Sequence, residues 1–287
     1  MEDQMPITKS LHRLCVENPR FLVRPLFWTP KHLQVLHCRI HHLDSAALPP
    51  SPPFWPSSDA DPDDAEHYMK HLRSSRFACD KFASFSLMMR AHGLDGIGVR
   101  PPFFYNKLEL HTPECKRLII GHFLYEELVK QRRRSLKPRR HPVDGASNVP
   151  GDRIYQRRLR ELTPALWFED PYLVRVLLSL AQFQRRSRKM TPEAFFVRLL
   201  VTYETDQANP HVLRADIPSS LLHALDNPTD AMDNFVWPAI QHVQVPFAPH
   251  ATFSERAARQ LLAGIKTEPS EEEPRGEKRK RDELDAE

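Results

Sequence analysis

Apolar residues recur at three- and four-residue intervals through most of the chain and alternate with polar ones only toward its C-terminal third. Four Thr-Pro pairs punctuate the helical pattern. Such pairs suit helix starts, because threonine caps free N–H groups and proline fits the first turn. After Thr29, the spacing Leu33, Leu36, Ile40, Leu43 predicts one helix. After Thr112, Ile120, Phe123, Leu124 and Leu128 predict a second, with a basic end that complements the helix dipole. Residues 65–94 read as one long helix with Ala78, Phe82, Phe85 and Met89 inward, ending near Gly93. Behind Thr163 the chain restarts at Asp170-Pro171. There Leu173, Val174, Leu177, Leu178 and Ala181 make a helix apolar nearly all round, central in the core.

Beyond Thr191-Pro192 the period changes. Phe195, Val197, Leu199, Val201 and Tyr203 alternate and include β-branched residues, which predicts a strand. "HVLRADI" reads as its hairpin partner across a longer loop, and Ile240, Val243, Val245 and Phe247 as a third strand. Short helices are predicted behind Pro218 and over "TFSERAARQLLAG", the latter stopped by Gly264. The expected fold class is α+β: a mostly helical body with a small C-terminal antiparallel sheet. One domain spans 19–264, after an N-terminal tail 1–18. The Pro/Ser/Asp-rich insertion 44–66, the basic-then-polar insertion 132–152 and the charged tail 265–287 are expected to be disordered.

Composition narrows the chemistry. Of 287 residues, 27 are proline and only 8 glycine, so glycine-rich phosphate loops are hard to build. No GxSxG elbow or dinucleotide fingerprint occurs, and no cofactor is expected. Cys15, Cys38, Cys79 and Cys115 are scattered without a CxxC pair, and the polar start is no secretory signal; reduced thiols in a reducing compartment follow. No apolar run is long enough to cross a bilayer, so no membrane partner is expected. His37, Cys38, His41 and His42, then His67 with His71, then His111 with Cys115 each offer part of a zinc site. None completes one, and no metal is expected. Glu204, Asp206 and Asp216 near the hairpin keep a divergent hydrolase open as a second alternative, although the lysine of an E-x-K arrangement is missing.

"LWFEDPYLVRVLLSLAQFQRR", "LLVTYETD", "VLRADIPSSLLHALDNP" and "VQVPFAP" resemble a group of uncharacterised proteins from filamentous-fungal genomes, over residues 77–264. The resemblance implies an α+β domain of unassigned activity and supplies no catalytic residues.

The net charge of +4 conceals strong segregation. Arg132, Arg133, Arg134, Lys137, Arg139 and Arg140 form one basic cluster; Arg153, Arg157, Arg158 and Arg160 a second; Arg185, Arg186, Arg188 and Lys189 a third. Arginine forks suit phosphate oxygens, so a nucleic-acid-binding protein is one alternative, with the arginines of the first two clusters as phosphate contacts. The competing reading is helix-end charges and solvated faces. Ser135, behind three arginines, fits a basophilic kinase site. In the tail, Ile265-Lys266-Thr267-Glu268 fits the attachment pattern of a small ubiquitin-like modifier, and Ser270 an acidophilic kinase site. Lys278, Arg279, Lys280 and Arg281 form a compact basic run of nuclear-import type. The leading expectation is therefore a non-enzymatic nuclear interaction or regulatory protein. Its partners would be an import receptor and a protein, with nucleic acid as the alternative.

Overall fold

The computed structural model describes residues 6–44, 62–99, 119–141, 143, 146–187, 191–232 and 234–264. Its strands are β1 (Ile40–His42), β2 (Asp95–Val99), β3 (Ile119–Leu124), β4 (Ala194–Tyr203), β5 (Asp206–Pro218) and β6 (Ile240–Gln244). They form one six-stranded mixed sheet in the order β1-β6-β5-β4-β3-β2. Only β5 is antiparallel to its neighbours; the pairs β1–β6, β2–β3 and β3–β4 are parallel. This overturns the expectation of a small C-terminal antiparallel sheet: strands from the N-terminal half build both edges.

Two of those strands carry a helix-like spacing. Ile119–Leu124 is buried at every position, and a short apolar run buried on both faces has no alternation to distinguish it from a core helix. Its Gly121 is the cue: an added Cβ would lie 2.7 Å from Leu180 Cδ1 and 2.9 Å from Leu199 Cδ1, so only glycine lets the helix above approach this closely. The helix after Thr112 therefore begins only at Tyr125; Thr112 lies outside the described residues. Likewise the helix after Thr29 stops at Val35, the chain turns at His37 with φ 50, and Ile40 enters β1.

The helices among the described residues are α1 (Leu11–Glu17), α2 (Pro30–Val35), α3 (Pro62–Ser74), α4 (Ala78–Arg90), α5 (Tyr125–Leu136), α6 (Val149–Leu162), α7 (Pro171–Arg186), α8 (Ser219–Asp226) and α9 (Phe253–Leu262). The predicted long helix 65–94 is two, α3 and α4. Ser75 breaks it, its hydroxyl accepting from Phe77 N at 3.1 Å and donating to Asp80 Oδ2 at 2.9 Å. The first insertion yields α3 from Pro62 onward, while 45–61 lie outside the described residues. The second is mostly helical at its ends, since α5 continues to Leu136 and α6 starts at Val149. The N-terminal segment joins the fold through α1 and through Ile7, which exchanges backbone hydrogen bonds with Phe235. The β4–β5 connection is a tight turn at Glu204-Thr205 rather than a longer loop.

Helices cover both sheet faces. On one, α7 presents Leu173, Leu177, Leu180 and Ala181 to Phe195, Val197, Leu199, Val201, Leu213 and Ile217. On the other, α3, α4 and α9 pack Met69, Phe85, Met89, Phe253 and Leu261 against Ile120, Leu200 and Val212. The cross-strand pair Arg198 and Arg214 lies buried beneath α9. Arg198 donates to Ala263 O at 3.2 Å and Arg214 to Gln260 O at 3.3 Å, so these two cations serve the negative end of α9. Asp170 caps α7 by accepting from Tyr172 N at 2.9 Å, with Pro171 in the first turn as its sequence requires.

His122 of β3 is fully buried beside Phe85 and bonds Thr202 Oγ1 at 3.1 Å. Burial, reinforced by the Lys81 charge, holds its imidazole down to about 3. Burial also lowers His92, against the weaker raising effect of Glu255. A histidine whose folded pKa is depressed contributes stability that is complete above its unfolded value of about 6.5 and is lost as pH falls below it. Unfolding free energy should therefore decline on acidification from about pH 6.5 to about pH 4. In His122→Leu that decline should be shallower by up to about 1.4 kcal/mol per pH unit, read from urea melts at each pH.

Candidate nucleic-acid interface

The basic sequence 132–134 divides as soon as it folds. Arg132 turns inward and is 3 % exposed. Both of its Nη atoms donate to the Asp170 carboxylate, and it also donates to Leu26 O at 2.9 Å and Leu162 O at 3.1 Å. Asp170 completes its shell with Tyr125 Oη at 2.8 Å. Burial and the adjacent Asp170 charge push the Tyr125 phenol far up, so it stays a donor. Arg132 thus does not join the phosphate-contacting surface expected of it.

Successive helical residues are rotated by 100°, so fixing Arg132 inward sends Arg133 and Arg134 outward. They meet Lys137, Arg139, Arg140 and His141 of the following loop around an open cavity of about 760 Å³. The first turns of α6 supply the far wall through Asn148, Asp152 and Tyr155. Asn148 sets the loop's position: its Oδ1 accepts from Gly151 N at 3.0 Å to cap α6, and its Nδ2 donates to Arg139 O at 2.8 Å. The cationic side chains are exposed, and among the described residues Asp152 is the only carboxylate of the cavity lining. Over the described residues this is a concave, positive surface with one aromatic ring in it, Tyr155.

The second cluster stands nearby without entering the cavity. Arg153, Arg157 and Arg160 share an exposed stripe of α6 about 120° round from Asp152 and Tyr155, with Arg158 on the other flank. Arg157 lies 3.9 Å from Glu161 in an exposed pair of little energetic weight. The third cluster is elsewhere. Arg185 pairs with Asp226 at the far end of α7, which is about 24 Å long, while Arg188 and Lys189 fall outside the described residues. Ser135 is exposed on α5 but is not in the cavity lining. Lys266, Ser270 and Lys278–Arg281 lie outside the described residues.

The candidate carboxylates do not assemble. Asp206 and Asp216 are ten positions apart on one strand, about 33 Å, and Asp216 pairs with Arg198 at 2.9 Å. The histidine groups of the sequence separate as well. His41 and His42 point to opposite faces of β1, Cys38 is buried with its thiol pushed up to about 12 by burial, and His67 packs against His71 and Tyr68 on α3. His111 and Cys115 lie outside the described residues. Among the described residues no group of three His, Cys, Asp or Glu side chains is placed to hold a metal ion, and no helix is long and apolar enough to cross a membrane.

Sequence reasoning missed one polar assembly, at the carboxyl edge of the sheet. There His42, His211 and His242, from three strands, line up with Asp206 and with Phe168 and Glu169 of the α6–α7 connector. His211 and His242 are ordinary alternating residues of predicted strands. What signals them is only that their positions share the face of the sheet on which Leu213 lies.

Comparison with protein-family models, with curated proteins and with solved structures finds no match.

The two halves of the arginine run separate experimentally. Arg133→Ala and Arg134→Ala should leave unfolding free energy within about 0.5 kcal/mol of the parent. Arg132→Ala, which strands a buried carboxylate, should cost about 3–5 kcal/mol in the same denaturation experiment.

Proposed function

We propose that this is a non-enzymatic nuclear regulatory protein that binds nucleic acid through its phosphate backbone, using the cavity between α5 and α6. The observation that carries this reading is the convergence of Arg133, Arg134, Lys137, Arg139 and Arg140 on one concave surface where, among the described residues, Asp152 is the single carboxylate. Guanidinium forks there would take phosphate oxygens in pairs, releasing counterions from the polyanion. Arg153, Arg157 and Arg160, on the adjoining face of α6, extend the positive field along the path of a strand. Tyr155 is the only aromatic residue among the described lining residues, too few for a base-stacking platform, so the fit is to a duplex backbone rather than to unstacked bases. In this reading Lys278–Arg281 engage an import receptor, and Lys266 and Ser270 accept modification that adjusts the tail's charge.

The test is a salt titration of duplex binding by the full chain with Lys278, Arg279, Lys280 and Arg281 changed to alanine, so that the tail does not contribute. Affinity should fall steeply with salt. Converting Arg133, Arg134, Arg139 and Arg140 to alanine should flatten the slope of log affinity against log salt by about 3 to 4. Absence of binding at low salt would remove nucleic acid from the reading and leave a module for protein partners.

A further inference from the structure

The carboxyl-edge assembly is a linear hydrogen-bonded chain. Glu169 Oε1 is 2.7 Å from His42 Nε2, and His42 Nδ1 is 2.9 Å from His242 Nδ1. His242 Nε2 is 2.7 Å from His211 Nδ1, and His211 Nε2 is 3.1 Å from Asp206 Oδ2. The elements dictate this order. His42 and His242 are register partners on β1 and β6, and His211 lies on the neighbouring β5 with its ring centroid 5.0 Å from that of His242. Phe168 closes over both inner rings, 4.4 Å from His242 at an interplanar angle of 4° and 4.7 Å from His211. Behind it Trp167 packs on His211, Tyr203 and Tyr125.

Counting hydrogens constrains the charge. Each of the four contacts needs one hydrogen between its heavy atoms. Three neutral imidazoles bring three, and two ionised carboxylates bring none. A complete chain therefore holds one further proton, as one imidazolium between two carboxylates. We propose that this single proton is a latch: with it, the chain fastens the Trp167–Glu169 turn to the carboxyl edge of the sheet, and on its loss the Glu169–His42 end opens.

The proton belongs on His42. Burial, then the charges of His211 and His42, hold His242 down to about 3, and burial lowers His211 against the raising effect of Asp206. His42 has a side chain 44 % exposed and faces Glu169, which is 38 % exposed. The polarity then runs one way. His42 donates to Glu169 and to His242, His242 donates to His211, and His211 donates to Asp206. Remove the proton and one contact sets lone pair against lone pair. The outer contact separates most readily, because water can solvate both of its partners. Of the other titratable groups beside the assembly, Tyr203 packs on Trp167 and is the cross-strand partner of Asp206, and Tyr125 packs on Trp167 and Tyr203. The fastened turn begins five residues after the end of α6 at Leu162 and leads into the Asp170 cap of α7. The latch stands independently of what the basic cavity binds.

A substitution with an unusual sign tests it. Glu169→Gln supplies a covalent N–H donor toward His42 Nε2, so three neutral imidazoles complete all four bonds without an extra proton. In the full-length parent, histidine-selective 15N NMR from about pH 5 to about pH 9 should show the chain lose one imidazolium, with His211 and His242 neutral throughout. Over the same range, protection factors of the 167–170 amides should fall about tenfold, from loss of one charge-assisted hydrogen bond. Glu169→Gln should keep those amides protected at both ends of the range and abolish the transition. Glu169→Ala should leave them poorly protected throughout. A neutral His42 at about pH 5, or the same protection change in the parent and in Glu169→Gln, would overturn the proposal.

Discussion

The Arg132–Asp170 ion pair is the contact on which the rest of the molecule is hung. Removing two charges from water costs several kcal/mol per ion, and this pair is tolerable only because nearly every donor and lone pair is used. Asp170 accepts from Arg132, Tyr125 and Tyr172, and Arg132 also reaches Leu26 O and Leu162 O. Four chain segments distant in sequence meet there: the N-terminal segment, the start of α5, the end of α6 and the cap of α7. Losing either partner would leave a charge in the core and release all four at once.

The same pair decides where the basic surface forms. Locking one arginine of a consecutive run points its neighbours away, and Asn148 then holds the following loop so that its cations face the first turns of α6. A cluster that would otherwise be a solvated run becomes a concave surface. Between that surface and the sheet edge lies the short α6–α7 connector, tied at Asp170 by the ion pair and at Glu169 by the histidine chain. The connector is thus held by residues of α5 through Asp170 and of β1, β6 and β5 through Glu169.

Much of the architecture is legible where a local rule has no rival. Asp170-Pro171 starts a helix because the cap and the fixed proline φ agree, and Gly264 stops one because its φ of 85 is costly for any other residue. The alternation of β4 is visible because its two faces differ in residue size and shape. Ile119–Leu124 and Ile40–His42 are not legible in this way. The first is buried on both faces and lacks alternation, and the second is three residues long and borrows its partner from a segment 200 positions away. Neither signal is local, so the sheet's size and its parallel character stay hidden.

The sequence by itself determined which segments carry helix caps and stops, which carry strand alternation, and where positive charge accumulates, because these depend on neighbours within a few residues. Only the tertiary structure decided that Arg132 is a core residue while Arg133 and Arg134 face solvent. It likewise decided that His42, His211 and His242 stand in one hydrogen-bonded row, and that Asp206 and Asp216 do not share a site. Each of these depends on strand order and burial, and a side chain's partner across a sheet is set by the register of strands far apart in the chain.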